Sequence, residues 1–174
     1  DVRTLILDGH AYETEISNYM FPNVTNVIVQ GPPAYYSRRV IVGRNGCLLN
    51  STGSGVGYKL LNTFCKKAGE KIDLKDVCSI EDYAFAGCMS TNVINTDDIT
   101  CLSKKSFANS AFQLGGSFVN GVKYINGMIV DIDTSAKEID IPENVRISGV
   151  DIPENCRFDK ITVHSKHSIG AIVQ

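Results

Sequence analysis

The residues able to do chemistry are few and do not converge in the chain. His164 and His167 stand three apart, with no cysteine or carboxylate pair at metal-ligand spacing beside them, and His10 is remote. Asp97-Asp98 and Asp131/Asp133 offer oxygen ligands, but the twelve-residue calcium loop with its closing Glu is missing. The glycine-rich run Gly53-Ser54-Gly55-Val56-Gly57 lacks the Lys and Ser/Thr that a phosphate loop requires, and reads as a surface loop. Asn23-Val24-Thr25 and Asn50-Ser51-Thr52 fit the glycan-acceptor pattern, which matters only in a secreted eukaryotic protein. No local signature marks a catalytic nucleophile. The residues predict no catalytic site, no metal and no cofactor, and an enzyme is the reading they support least.

Six cysteines, Cys47, Cys65, Cys78, Cys88, Cys101 and Cys156, allow three disulfides by count. A chain of this length does not need them, and no Cys-x-x-Cys clip occurs. Cys88 ends an aromatic turn, and Cys156 stands where Val145 stands 11 residues earlier. Free thiols acting as small buried hydrophobes are therefore the expectation, and the redox compartment stays open.

What positions these residues is a repeat. Short apolar pairs recur as Leu5/Leu7, Val27/Val29, Ile72/Leu74, Ile139/Ile141 and Ile161/Val163. Their first members are separated by 22, 45, 67 and 22 residues, which are one, two, three and one steps of the same interval. Leu48-Leu49, Val93-Ile94 and Phe118-Val119 fall near the remaining steps, so the chain tiles as about eight coils. In each pair, alternation puts two side chains inward and one outward, the habit of a short strand. Ile80 followed by Ala84-Phe85 and Gly87 reads as a second short strand and a tight helical turn that plugs the coil. The Ile80-to-Phe85 spacing returns as Leu102 to Phe107 and as Ile16 to Phe21. Near the C-terminus the interval halves: Asp140, Pro142, Glu143, Asn144 and Arg146 recur 11 residues later as Asp151, Pro153, Glu154, Asn155 and Arg157.

The expected fold is accordingly a mostly β or α/β solenoid of about eight coils of 22–23 residues, with a face of parallel strands. Residues 1–174 form a single domain in this reading, with irregular coils and an inserted loop near 31–69. Forty-three per cent apolar and 21 per cent charged residues suit a folded chain rather than a disordered one. A net charge of −2 with no basic stripe excludes nucleic acid as an expected partner, and no apolar run approaches the about 20 residues of a membrane helix. Opening at Asp1 without a Met, the chain reads as a processed form or an excised fragment.

The stretches Ile-Asp-Leu-Lys-Asp-Val-Cys-Ser-Ile-Glu-Asp-Tyr-Ala-Phe-Ala-Gly-Cys (72–88) and Ile-Asp-Ile-Pro-Glu-Asn-Val-Arg-Ile (139–147) resemble the BspA-like leucine-rich repeats. Residues 121–130 and Asn45-Gly-Cys-Leu-Leu49 are similar to the hairpin segments that interrupt such repeats. The resemblance implies a curved leucine-rich-repeat solenoid with a non-enzymatic binding role. It also implies an extracellular or cell-surface setting, since members are commonly bacterial or protist surface and secreted proteins, often adhesins; a cytoplasmic setting stays open.

In a solenoid the binding residues are expected at the outward position of each pair, here Ile6, Ile28, Asp73, Asn95, Asp140 and Thr162. The aromatic pair Tyr35 and Tyr36 adds a second expectation, because tyrosine offers large contact area at small entropic cost. Each has a bland counterpart: Ile6 and Ile28 covered by a neighbouring segment, the aspartates simply solvated, the tyrosines packed over an irregular coil. Two functions from different classes follow. One is a module that binds a protein or a glycan along its strand face, as part of a surface or secreted adhesin-like protein. The other is a structural spacer or assembly component in a phage or cytoplasmic complex.

Overall fold

The computed structural model describes residues 2–8, 23–30, 40–52, 57–150 and 152–167. Ile16, Phe21, Tyr35, Tyr36, His10 and most of the glycine-rich loop lie outside the described residues. Strands dominate, and the described residues hold a single four-residue α-helix, Ala111–Leu114.

The outward-inward pairs form parallel ladders at the expected interval. Thr4–Asp8 pairs with Asn26–Gln30, placing Leu5 against Val27 and Leu7 against Val29. Ile72–Asp73 pairs with Val93–Ile94, and Glu138–Ile141 pairs with Lys160–Val163, setting Ile139 against Ile161. A second parallel series runs through Tyr58–Asn62, Val77–Ile80 and Cys101–Leu102. Met128–Ile132 and Ile147–Ser148 form a further parallel pair.

The plug turns stack as predicted. The Thr63 N–H donates to Ala84 O at 2.9 Å, Phe85 N–H to Ser106 O at 3.1 Å and Gly87 N–H to Asn109 O at 3.0 Å. Phe85 and Phe107 bring their rings to 4.7 Å in a stacked arrangement, and Phe112 meets both edge-on. Buried hydroxyls answer the carbonyls left between levels: Thr63 Oγ1 donates to Ala84 O at 3.0 Å and Ser106 Oγ to Ile80 O at 2.9 Å. This is how small polar residues survive in the interior.

Two expected steps are not coils. Val40–Val42, Leu48–Ser51 and Tyr58–Asn62 run antiparallel, so Leu48-Leu49 belongs to a meander. The cause is Asn45-Gly46, both left-handed at φ 59° and 73°, a hairpin turn far too short for the crossover that parallel pairing needs. Phe118-Val119 also leaves the beat. Val119 forms an antiparallel bridge with Val122, and the chain then enters the hairpin of Val122–Ile125 and Met128–Ile132. Asn126-Gly127 turns that hairpin at φ 47° and 77°. With two of eight steps spent on hairpins, about six coil turns remain.

Among the described residues, apolar side chains gather in three clusters. Phe85, Phe107, Ile72, Leu74 and Met128 centre the largest; Ile129, Ile139, Ile141 and Val145 form the C-terminal one; Val24, Val27, Leu48 and Phe64 form the N-terminal one. Arg146 spans the junction of the first two. Its guanidinium donates to the carbonyls of Thr96, Asp97, Ile99 and Asn126 at 3.0, 3.2, 3.4 and 3.4 Å.

All six thiols are unpaired, but only Cys47 and Cys88 are buried. Cys101 is exposed because it occupies an outward strand position, so the expectation of buried thiols fails there. Burial pushes the Cys47 thiol up from 9.0 to about 12, with the Lys66 ammonium opposing. An unfolded thiol would ionise first, so the stability linked to Cys47 is complete below pH 9 and lost as pH rises toward 12. The expected slope is about 1.4 kcal/mol for each pH unit in that window. Urea midpoints at pH 8, 10 and 11 should fall accordingly, and Cys47→Ala should flatten the fall; identical slopes in both proteins would refute the assignment.

Candidate partner-binding face

The outward residues fall where strand alternation sends them. Ile6 and Ile28 stand directly opposite each other on adjacent strands and are 57% and 38% exposed. No described segment covers them. Beside them Thr4 pairs with Asn26, and Asp8 with Gln30, so an aliphatic step is bracketed by polar ones. Val42, on the neighbouring meander, is also 38% exposed.

In the middle ladder the register differs by one residue from the expected one. Ile94, not Asn95, stands opposite Asp73. Asn95 follows the strand in a left-handed conformation (φ 56°), and its Nδ2 donates to Asp73 Oδ1 at 2.8 Å. Asp73 Oδ1 also accepts from the Lys75 N–H at 3.1 Å. These two side chains are therefore engaged with each other across one coil step. In the last ladder Asp140 and Thr162 are in register, and Asp140 Oδ1 meets His164 Nε2 at 3.1 Å. Glu143 and Lys166 form an exposed ion pair at 2.7 Å beyond them. The face thus passes from aliphatic to polar and charged along the chain.

Five of the six positions lie on three separate two-stranded ladders, and Asn95 sits just past the end of the middle one. The hairpin fills the interval between the second and third. Asn126 Nδ2 donates to Val93 O at 3.3 Å on one side, and the Asp140 N–H donates to Asn120 O at 3.0 Å on the other. Tyr35 and Tyr36 lie outside the described residues and join no described site.

A second apolar area is one the sequence reading missed. Met89, Leu114, Phe118, Val119 and Tyr124 are all exposed, and Val119 and Tyr124 line an open groove of about 430 Å3 over Phe112. Lys123 borders it, its ammonium 4.5 Å from the Phe118 ring centre and donating to Gln113 O at 2.6 Å. Asp131, 3.8 Å from that ammonium, has its carboxyl raised above the ordinary range by burial, with the Ile132 N–H and Lys123 opposing. Gly115-Gly116 and Asn120-Gly121, which bracket Phe118-Val119, were the signal that this step leaves the coil.

Among the described residues, no group of three or more His, Cys, Asp or Glu could hold a metal ion. Asn50 is 1% exposed and so is closed to glycan attachment, which removes that acceptor; Asn23 is exposed. No helix among the described residues is long and apolar enough to cross a membrane.

Stacked parallel strands, plug turns and a 22-residue beat define the molecule as a leucine-rich-repeat solenoid. The family model for the BspA type leucine rich repeat region matches residues 61–172 in six copies, and the chain belongs to that family. Such repeats are a binding and scaffold architecture, not a catalytic one. No curated protein and no solved structure matches the chain.

Proposed function

We propose that this chain is a protein-interaction module that grips a protein partner along its strand face, with Ile6 and Ile28 as apolar anchors. The observation that carries this reading is the exposed, in-register pair of isoleucines. Contiguous exposed apolar surface marks partner sites, and it suits a protein surface better than a polyhydroxyl glycan. Asp73, Asn95, Asp140 and Thr162 supply the polar continuation of the same face. Ile6→Asp with Ile28→Asp is expected to change stability by no more than about 1 kcal/mol. The pair should weaken partner binding at least tenfold, or about 1.4 kcal/mol. A photo-crosslinker installed at position 28 supplies the measurement: capture of one protein by the parent chain, lost with the Ile6→Asp change, supports the reading. Capture of a glycan, or unchanged capture by the variant, refutes it.

The setting proposed is a surface or secreted adhesin-like protein. One observation favours the alternative, a spacer or assembly component in a phage or cytoplasmic complex: six unpaired thiols, one of them exposed, suit a reducing compartment. Labelling intact source cells with a membrane-impermeant amine reagent separates the two. Labelled chain places it outside; a chain labelled only after lysis supports the spacer.

A further inference from the structure

Away from the ladders that carry the candidate binding face, the second parallel series carries an open groove of about 570 Å3, lined by Ser51, Tyr58, Asp76, Cys78, Asp98 and Thr100. Coil stacking builds it level by level. Tyr58 stands in register with Val77, and the Thr100 N–H donates to Cys78 O at 2.9 Å. Asp76 and Asp98 occupy the same position of successive coils, three residues before the paired Ser79 and Cys101. Neighbouring strands lie about 4.8 Å apart, which sets the spacing of the backbone levels that carry the two aspartates. Among the described residues, neither carboxylate makes a hydrogen bond or ion pair, and no Lys, Arg or His lines the groove. Tyr58 is half-buried, packed against the large core cluster, and supplies an aromatic wall.

From this charge and shape we propose that the groove receives an arginine side chain of a partner protein. A guanidinium presents several N–H donors in one plane, so it can reach both carboxylates and still lay a face against the tyrosine ring. An ammonium is a point charge that serves one carboxylate at a time. A metal ion needs a denser ligand set than two carboxylates. This surface is distinct from Ile6 and Ile28, and it stands or falls separately from the strand-face reading.

The test is a nuclear magnetic resonance titration of the full chain with a capped five-residue peptide bearing one central arginine. Versions with lysine and with neutral citrulline serve as comparisons. The arginine peptide should move the amides of Asp76, Asp98 and Thr100. The lysine version should bind at least fivefold more weakly, and the citrulline version should leave those amides unmoved. Asp76→Asn with Asp98→Asn should weaken arginine binding at least tenfold, while Ile6→Asp leaves it unchanged. Asparagine accepts the left-handed backbone found at Asp76 (φ 66°), so that variant keeps its turn. Equal responses to arginine and citrulline, indifference to the double substitution, or the same amides moving with calcium alone would each overturn the proposal.

Discussion

Phe85→Ala is expected to lower the unfolding free energy by about 3–5 kcal/mol, among the largest single-residue effects in this molecule. Phe85 has no exposed surface, stacks on Phe107 at 4.7 Å and meets Phe112 at 5.7 Å. Truncation removes the transfer energy of a whole ring and opens a cavity whose walls belong to the neighbouring levels. Those walls cannot collapse, because the backbone on both sides is tied by hydrogen bonds from one level to the next. The damage should therefore spread. Hydrogen exchange should accelerate at Ser106, Phe107 and Asn109, while the ladder of Thr4–Asp8 keeps its protection. Phe85→Leu should recover more than half of the loss. An unchanged denaturation midpoint in Phe85→Ala would remove the aromatic plug from the core.

Arg146→Ala is the second large effect, expected at about 2–4 kcal/mol. Its guanidinium collects four carbonyls from a turn at 96–99 and from the hairpin turn at Asn126, binding the central and C-terminal clusters together. Without it those carbonyls lose charged donors, and the junction loses the side-chain stem that filled it. Arg146→Lys should recover only part, since a single ammonium cannot span the same fan of acceptors. Arg157, at the matching position of the next half-repeat, is the natural control. Among the described residues it donates only to Glu154 O and Cys156 O, within its own turn. Arg157→Ala should stay within about 0.5 kcal/mol of the parent. Equal losses in the two variants would show that Arg146 does not act as a clamp.

The contrast between those two arginines marks what the sequence made legible. Both sit in the same Ile-Pro-Glu-Asn-x-Arg phrase, so the phrase reveals the strand and the turn but not the long-range contact. Alternation of apolar side chains is local, and it announced Leu5/Leu7, Val27/Val29, Ile72 and Ile139/Ile161 in their true register. The Ala84-Phe85 plug was readable for the same reason. Leu48-Leu49 and Phe118-Val119 misled because an apolar pair looks the same in a coil strand and in a hairpin strand. The Asn-Gly dipeptides beside them carried the missing information: two consecutive left-handed residues reverse the chain at once and forbid a parallel return. The one-residue difference at Asn95 has a similar origin, since a strand of only two residues leaves its register to turn geometry.

The candidate binding face was partly legible. Alternation placed Ile6 and Ile28 outward, but exposure depends on what lies above them, which no local pattern encodes. The exposed cluster around Val119 and Tyr124 was hidden by the assumption of an unbroken beat. The paired carboxylates of the groove became meaningful only once stacking set Asp76 and Asp98 level by level beside Tyr58.

Because the apolar side chains are parcelled into three gatherings instead of one, a pull along the axis has no single point of failure to find. Tension would be shed one parcel at a time, lengthening the molecule in stages. Such a body would yield by steps, with the weakest parcel opening first and the others still folded.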